Sequence, residues 1–313
     1  MLATACQSIP SAGANGGAVA GAACGGLKPE MSAPVNATEP RSGRQFFLEY
    51  PCDLKPGEQV TLVLNLHGGG SSGSWQRLYF PAGDYAQTHR LVIATPTSAG
   101  GAPLPNGGPT VSMWIEANDD QYLRDLTDLL ITDFGKSNIK SFWLAGHSQG
   151  GITSTRIVCS EYFASRVDGF VSLAGGRVGM RIGGTPTCDY SHIFETGELD
   201  TVGVAGLPDT SPLADRFGCA PKTRIAEIVD TEAGKVYDPR ALGPNPPRAG
   251  WGGAAAPGTS EVYVFPRCKG GEVVADIVRL KKGHTEGLEP KVTEEIVKLM
   301  TSIPGGKIRN SAS

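Results

Sequence analysis

The run Gly146-His147-Ser148-Gln149-Gly150-Gly151 fits G-x-S-x-G. In that pattern the two glycines allow a tight turn that lifts a serine hydroxyl into solvent at the start of a helix. Such a hydroxyl is a weak nucleophile at neutral pH until a neighbouring base takes its proton. Five histidines are available for that task. His67 precedes three glycines, His147 lies within the turn itself, and His89 sits before a strand, at the wrong end of a sheet. His192 opens a strand, where a hydrogen-bonded core imidazole is the simpler reading. His284 remains, in Lys282-Gly283-His284-Thr285, after a strand and before the last helix. Its place near the C-terminus fits the chain order Ser, acid, His that goes with this motif. The acid is expected between them at another strand end. Asp200, in Gly197-Glu198-Leu199-Asp200-Thr201, lies just past one, where it would orient the imidazole and stabilise the imidazolium. Glu198, Asp209, Asp215 and Asp230 compete for the same role.

A second glycine-rich segment, Asn65-Leu66-His67-Gly68-Gly69-Gly70, follows the apolar run 60–66. Acyl transfer develops negative charge on a carbonyl oxygen, and backbone N–H groups stabilise it where no side chain blocks the approach. Gly69 and Gln149, the residue after the nucleophile, form the expected donor pair, with Gly70 as a third candidate. No G-K-[ST] follows the glycines, which weakens a phosphate-loop reading. His67, Gly70, Trp75 and Trp114 are candidates for a substrate cleft, and Tyr79 and Trp251 also lie near these loops. Core packing explains the tryptophans more simply; among them Trp114 has the strongest claim to the cleft, because it follows the third strand on a loop.

These residues need elements to hold them. Apolar runs predict strands at 45–50, 60–66, 91–95, 139–145, 170–174, 192–196 and 273–280. Helices are predicted over 120–134, where Leu123, Leu126, Leu130 and Phe134 recur at helical spacing, and over 151–161. Repeated alternation of strand and helix calls for an α/β fold, a mostly parallel twisted sheet with helices on both faces. Ligands of such sheets bind beyond the carboxyl ends of the strands, and all the loops named above lie there.

The chain has 313 residues and a formal charge of −3, with pI near 6.0. That balance argues against electrostatic binding of nucleic acid or an anionic membrane, and no run of 18 apolar residues offers a membrane span. The chemistry calls for no metal and no organic cofactor. Residues 8–40 hold 14 Ala or Gly, four Pro and three charges, too little apolar surface to offset backbone entropy. Residues 1–43 are therefore read as a flexible leader and 44–313 as one catalytic domain. Ala3-Thr4-Ala5 before Cys6 has the form of a trimmed export signal with a lipoprotein anchor, and Asn36-Ala37-Thr38 matches a glycosylation acceptor. None of the seven cysteines stands in a C-x-x-C pair, which argues against a zinc ribbon or thioredoxin-like site. Their scatter fits structural disulfides in an oxidising compartment, secreted or periplasmic. The odd count leaves at least one unpaired, with Cys6 the candidate, and the pairing of Cys24, Cys52, Cys159 and Cys188 stays open.

Taken together, these motifs resemble the α/β-hydrolase superfamily, and within it the secreted feruloyl esterase, acetyl xylan esterase and polyhydroxybutyrate depolymerase group. The likeness runs from about Arg44 to Met300. It includes Arg44-Gln45-Phe46-Phe47-Leu48-Glu49-Tyr50-Pro51, Asn118-Asp119-Asp120 at the head of a helix, and Gly283-His284-Thr285. The resemblance implies a monomeric serine carboxylic-ester hydrolase acting through an acyl-enzyme on feruloyl or acetyl esters of plant cell walls. It also implies a disulfide between Cys219 and Cys268. Two departures border the acyl pocket: Glu286-Gly287 stands where the group often has Trp-Pro, and Gln149 replaces a smaller residue. The G-H-S-Q-G form is similar to some lipases and cutinases, so a polyester depolymerase is the alternative. A catalytically silent hydrolase-like binding protein and a serine peptidase or acyltransferase are the readings from other classes.

Overall fold

A computed structural model describes residues 35–51, 53–103, 110–200, 207–233 and 256–311. Twelve strands occur among them. They are β1 (Val35–Thr38), β2 (Gln45–Glu49), β3 (Val60–Leu66), β4 (Leu91–Pro96), β5 (Gly100–Pro103), β6 (Thr110–Met113), β7 (Ile139–His147), β8 (Gly169–Leu173), β9 (Ser191–Gly197), β10 (Thr223–Asp230), β11 (Gly258–Val264) and β12 (Val274–Arg279). Ten of them form one sheet in the order β1-β2-β4-β3-β7-β8-β9-β12-β11-β10, while β5 and β6 make a separate hairpin. The six central strands, β4 through β12, run parallel. The flanks, β1-β2 on one side and β11-β10 on the other, pair antiparallel. This is the α/β-hydrolase fold expected from the sequence.

Alternate residues along a strand face opposite sides of a sheet, and here both sides are covered. Leu62, Leu64, Leu66, Phe142 and Leu144 belong to one core, packed with Tyr122, Leu123, Leu126, Leu130 and Phe134 of the helix Glu116–Phe134. Val63, Ile93, Trp143, Ala145, Val171 and Ile277 belong to the other, packed with Trp75, Tyr79 and with Val292, Ile296, Val297 and Met300 of the helix Pro290–Ser302. Each large apolar side chain so enclosed contributes about 1.5–3 kcal/mol. Burial on both faces explains why the central strands read as unbroken apolar runs rather than alternating ones.

Some expectations need correction. β1 lies inside the stretch 1–43 read as a leader: its backbone pairs with β2 and extends the sheet edge, and the buried Glu39 beyond it accepts from the N–H groups of Arg41 and Ser42. The helix expected at 120–134 begins at Glu116, because the buried Asp119 carboxylate accepts from the N–H of Ile115 and of Ala99 and pairs with Arg44. Cys219 and Cys268 are joined, as are Cys159 and Cys188. Cys6, Cys24, Cys52 and Trp251 lie outside the described residues. No described helix is long and apolar enough to cross a membrane.

His192 occupies the core position expected of it. On β9, its Nδ1 lies 3.3 Å from the Phe170 carbonyl and its Nε2 takes the Val178 N–H at 3.4 Å. Burial, reinforced by the charge of Arg177, pushes the imidazole down to about 4. The folded value lies below the unfolded one, so unfolding takes up a proton and stability falls as pH drops from about 6.5 toward 4. Relative to His192→Gln, the wild-type protein is expected to lose about 1.4 kcal/mol per pH unit across that window. Denaturant titrations of both proteins at several pH values check this, and a pH-independent gap would contradict it.

Candidate active site

β7 ends at His147 and the helix Gln149–Ile157 starts two residues later, leaving Ser148 to make the whole turn. Its backbone sits at φ 51°, ψ −116°, a left-handed conformation for a non-glycine residue. Strain of that kind costs on the order of 1–3 kcal/mol and persists only where the surroundings impose it. The surroundings are visible. The Ser148 N–H donates to the Leu173 carbonyl at the end of β8, and the Ser148 carbonyl accepts from Ile152 inside the helix. Gly146 and Gly150 pack backbone against backbone: a Cβ on Gly146 would stand 2.4 Å from the Gly150 carbonyl carbon.

Ser148 Oγ lies 2.8 Å from His284 Nε2, and His284 Nδ1 lies 2.8 Å from Asp200 Oδ2. The Asp200 carboxylate is fully buried and also takes the Thr196 hydroxyl at 3.4 Å, whereas the His284 ring is about one-third exposed. The three residues come from the ends of β7, β9 and β12 on the carboxyl edge of the sheet, with β8 between the first two and β9 beside β12. The competing acids stand elsewhere. Glu198 accepts from the Lys281 N–H, Asp230 from Glu232 and Lys291, and Asp209 and Asp215 face solvent.

Two interlocks hold the acid and histidine loops. In the first, backbone N–H groups of Glu198 and Leu199 donate to the carbonyls of Arg279 and Lys282. The second is a buried charge cluster. Arg279, with no exposed surface, bonds Glu195 Oε1 at 2.6 Å and approaches Glu289 Oε2 at 3.4 Å. Its remaining N–H groups donate to the carbonyls of Gly287 and Glu286 at 3.0 and 2.9 Å. The Glu286-Gly287 departure noted in the sequence is therefore clamped by its main chain, and the Glu286 carboxylate takes the Gly283 N–H.

On the opposite side of Ser148, Gln149 is fixed by its side chain. Its amide oxygen takes the Trp114 N–H at 3.1 Å and its amide nitrogen donates to the Trp114 carbonyl at 2.9 Å. The Trp114 indole then donates to the His67 carbonyl at 2.8 Å and packs on the His67 ring. Gly69 comes next in that loop, and a Cβ built on it would lie 3.6 Å from Gln149 Cβ. The two residues expected to supply the donors are thus adjacent, and Gln149, as first residue of its helix, has no carbonyl within the helix to accept its N–H.

The cleft candidates fare differently. His67 is completely buried and its Nε2 accepts from the Ser98 N–H, so it packs the loop from beneath. Gly70 spends its N–H on the Ser112 carbonyl and cannot aim it at a substrate. Trp75 is enclosed in the core against Tyr79 and His147. Trp114 is buried by its bonds to Gln149 and His67. The three side chains of His67, Trp75 and Trp114 are thus buried in support of the loops rather than lining a cleft. The side-chain clamp of Gln149 and the Arg279 cluster were missed in the sequence; an arginine closing the apolar run of β12 was the one available signal.

Adding a methyl at Gly146 drives it into backbone that cannot rotate away, so Gly146→Ala is expected to cost about 1–3 kcal/mol. At Gly69 the same methyl meets ordinary van der Waals contacts, and Gly69→Ala is expected to change stability by no more than about 0.5 kcal/mol. Denaturant unfolding of both variants checks the contrast; equal losses would contradict it.

No family model and no curated protein matches the chain. Several solved structures are similar to it. Acetyl xylan esterase from Aspergillus awamori is 11% identical with a TM-score of 0.46, covering 82% of this chain and 94% of its own. TT1662 from Thermus thermophilus is 15% identical with a TM-score of 0.44, covering 83% and 93%. SOBER1 from Arabidopsis thaliana is 15% identical with a TM-score of 0.41, covering 77% and 97%.

Proposed function

We propose that this chain is a carboxylic-ester hydrolase that works through an acyl-enzyme on Ser148. The observation that carries the reading is the unbroken contact from the Ser148 hydroxyl through His284 to the buried Asp200, with 2.8 Å at each step. Asp200 accepts Nδ1–H and so leaves Nε2 as the lone-pair side, aimed at Ser148 Oγ. As Oγ attacks the ester carbonyl, Nε2 takes its proton and the resulting imidazolium is stabilised by the Asp200 carboxylate. The carbonyl oxygen becomes an oxyanion and accepts from the Gln149 and Gly69 N–H groups at the positive end of the helix Gln149–Ile157. His284 then protonates the departing alcohol. Water, giving a proton to the same Nε2, attacks the acyl-Ser148 ester and releases the acid, and the proton returns to Oγ.

The substrate class we infer is a feruloyl or acetyl ester of plant cell-wall material, on the strength of the motif resemblance. The observed disulfides support an extracellular or periplasmic setting. A second reading, a polyester depolymerase, is favoured by two exposed apolar side chains beside the catalytic residues, Leu199 next to Asp200 and Ile152 on the nucleophile helix. Apolar surface at such a place suits a solid, water-excluding substrate.

Ser148→Ala is expected to lower kcat by a factor on the order of 10⁶ with the fold intact, and Asp200→Ala by about 10⁴. Rates on p-nitrophenyl acetate, methyl ferulate, a polyhydroxyalkanoate film and a peptide amide test both the reaction and its substrate. Ester hydrolysis at the wild-type rate in Ser148→Ala would overturn the proposal. Preference for the film over methyl ferulate would favour the second reading.

A further inference from the structure

His147 lies directly behind the catalytic residues, and no proton transfer in the reaction passes through it. It is completely buried, with its ring centroid 4.1 Å from Tyr79, 5.1 Å from Trp75 and 5.0 Å from His284. Its Nε2 stands 2.8 Å from the backbone carbonyl of His284. A carbonyl only accepts, so Nε2 carries the proton. The other ring nitrogen, Nδ1, is buried without a hydrogen-bond partner. It faces Gly68 so closely that a Cβ there would come within 2.6 Å. One residue therefore links three loops: it ends β7 at the Ser148 turn, and its imidazole abuts the glycine loop after β3 and grips the histidine loop after β12.

Resting on the triad reading above, we infer that His147 is a positioning residue, whose Nε2–H holds the main chain of His284 and so sets where that ring stands between Ser148 and Asp200. The hold acts at the residue that moves protons. The Tyr79 hydroxyl reaches the same carbonyl only at 3.5 Å, and the Arg279 bonds grip the loop two residues further on. A displaced His284 would lose alignment with Oγ without loss of substrate binding, and misplacement of about 1 Å costs as much as 10²-fold in rate. His147 also has to be uncharged, since a cation in contact with His284 would oppose imidazolium formation. Burial, helped by neighbouring His284, pushes it down to about 3. The charged or titratable groups that face it are His284, Asp200 and Arg279, with the Tyr79 phenol packed on its ring.

Two substitutions separate the donor from the packing. His147→Phe keeps a flat ring and removes the N–H; His147→Gln keeps an N–H that reaches the carbonyl. On p-nitrophenyl acetate, His147→Phe is expected to lower kcat at least about tenfold with KM within about twofold, and His147→Gln to recover most of that loss. His147→Phe at the wild-type kcat, or His147→Gln as slow as His147→Phe with both folded by circular dichroism, would overturn the inference. Nitrogen-15 NMR of the wild-type protein gives a readout independent of the variants. It should report a neutral Nε2–H tautomer of His147 from about pH 5 to 9, and an Nδ1–H tautomer or an imidazolium there contradicts the inference. A wild-type protein that cleaves no ester sinks the triad reading itself, and the positioning role with it.

Discussion

The strained backbone at Ser148 is the constraint on which the rest of this site depends. A positive φ at a side-chain-bearing residue has no local reason to persist, so the structure around it must hold it from several directions. The end of β8 accepts the serine N–H, Ile152 of the helix Gln149–Ile157 donates its N–H to the serine carbonyl, and Gly146 and Gly150 close the turn backbone to backbone. A Cβ on Gly150 would collide with the carbonyls of Leu66 and His67, which ties the turn to the end of β3. The hydroxyl and the adjacent glycine loop are thereby tied to each other by main-chain contact, which the side chains of Gln149, Trp114 and His147 reinforce.

The histidine and acid loops are held by different means. Their anchors are charges buried in the sheet. Arg279 with Glu195 and Glu289 grips the histidine loop through main-chain carbonyls, and on the same strand Asp276 pairs with Lys222 and with Arg177, whose guanidinium donates to the carbonyls of Pro208 and Thr210 past the acid loop. Buried ion pairs add little net stability compared with well-packed apolar residues, but removing one partner leaves an uncompensated charge and costs about 3–5 kcal/mol. What they supply here is direction. A guanidinium with a fixed fork of donors satisfies several loop carbonyls at once, something that a leucine in its place cannot do.

The amino-acid sequence was most informative where physics is local. Apolar runs buried on two faces mark the central strands, and a glycine-flanked serine after one of them marks the turn. Ser148, Asp200 and His284, which the fold brings into contact, were legible because each lies just past a strand, and His192 lies in the core, as read. The sheet edges were harder. β1 has the composition of a leader and gains its order only by pairing with β2, while the exposed, charged alternation of β10 carries no core signal. Long-range packing was least visible. Trp75 and Trp114 were offered for a cleft although core packing was the simpler reading, and only the fold puts His147 beside one and Gln149 beside the other. Gln149 appeared as an anomaly next to the nucleophile; its reason is a partner 35 residues away in the chain.

The proposed reaction requires one serine among many to be activated by an imidazole that is backed by a buried carboxylate and stands on its hydroxyl. Fluorophosphonate reagents react only with serines so activated, which makes the site of modification the most direct measurement. Peptide mapping by mass spectrometry after labelling should place a single adduct on Ser148, abolished in His284→Ala while other surface serines remain unmodified. No adduct on the folded protein, or an adduct on a different serine, would contradict the account.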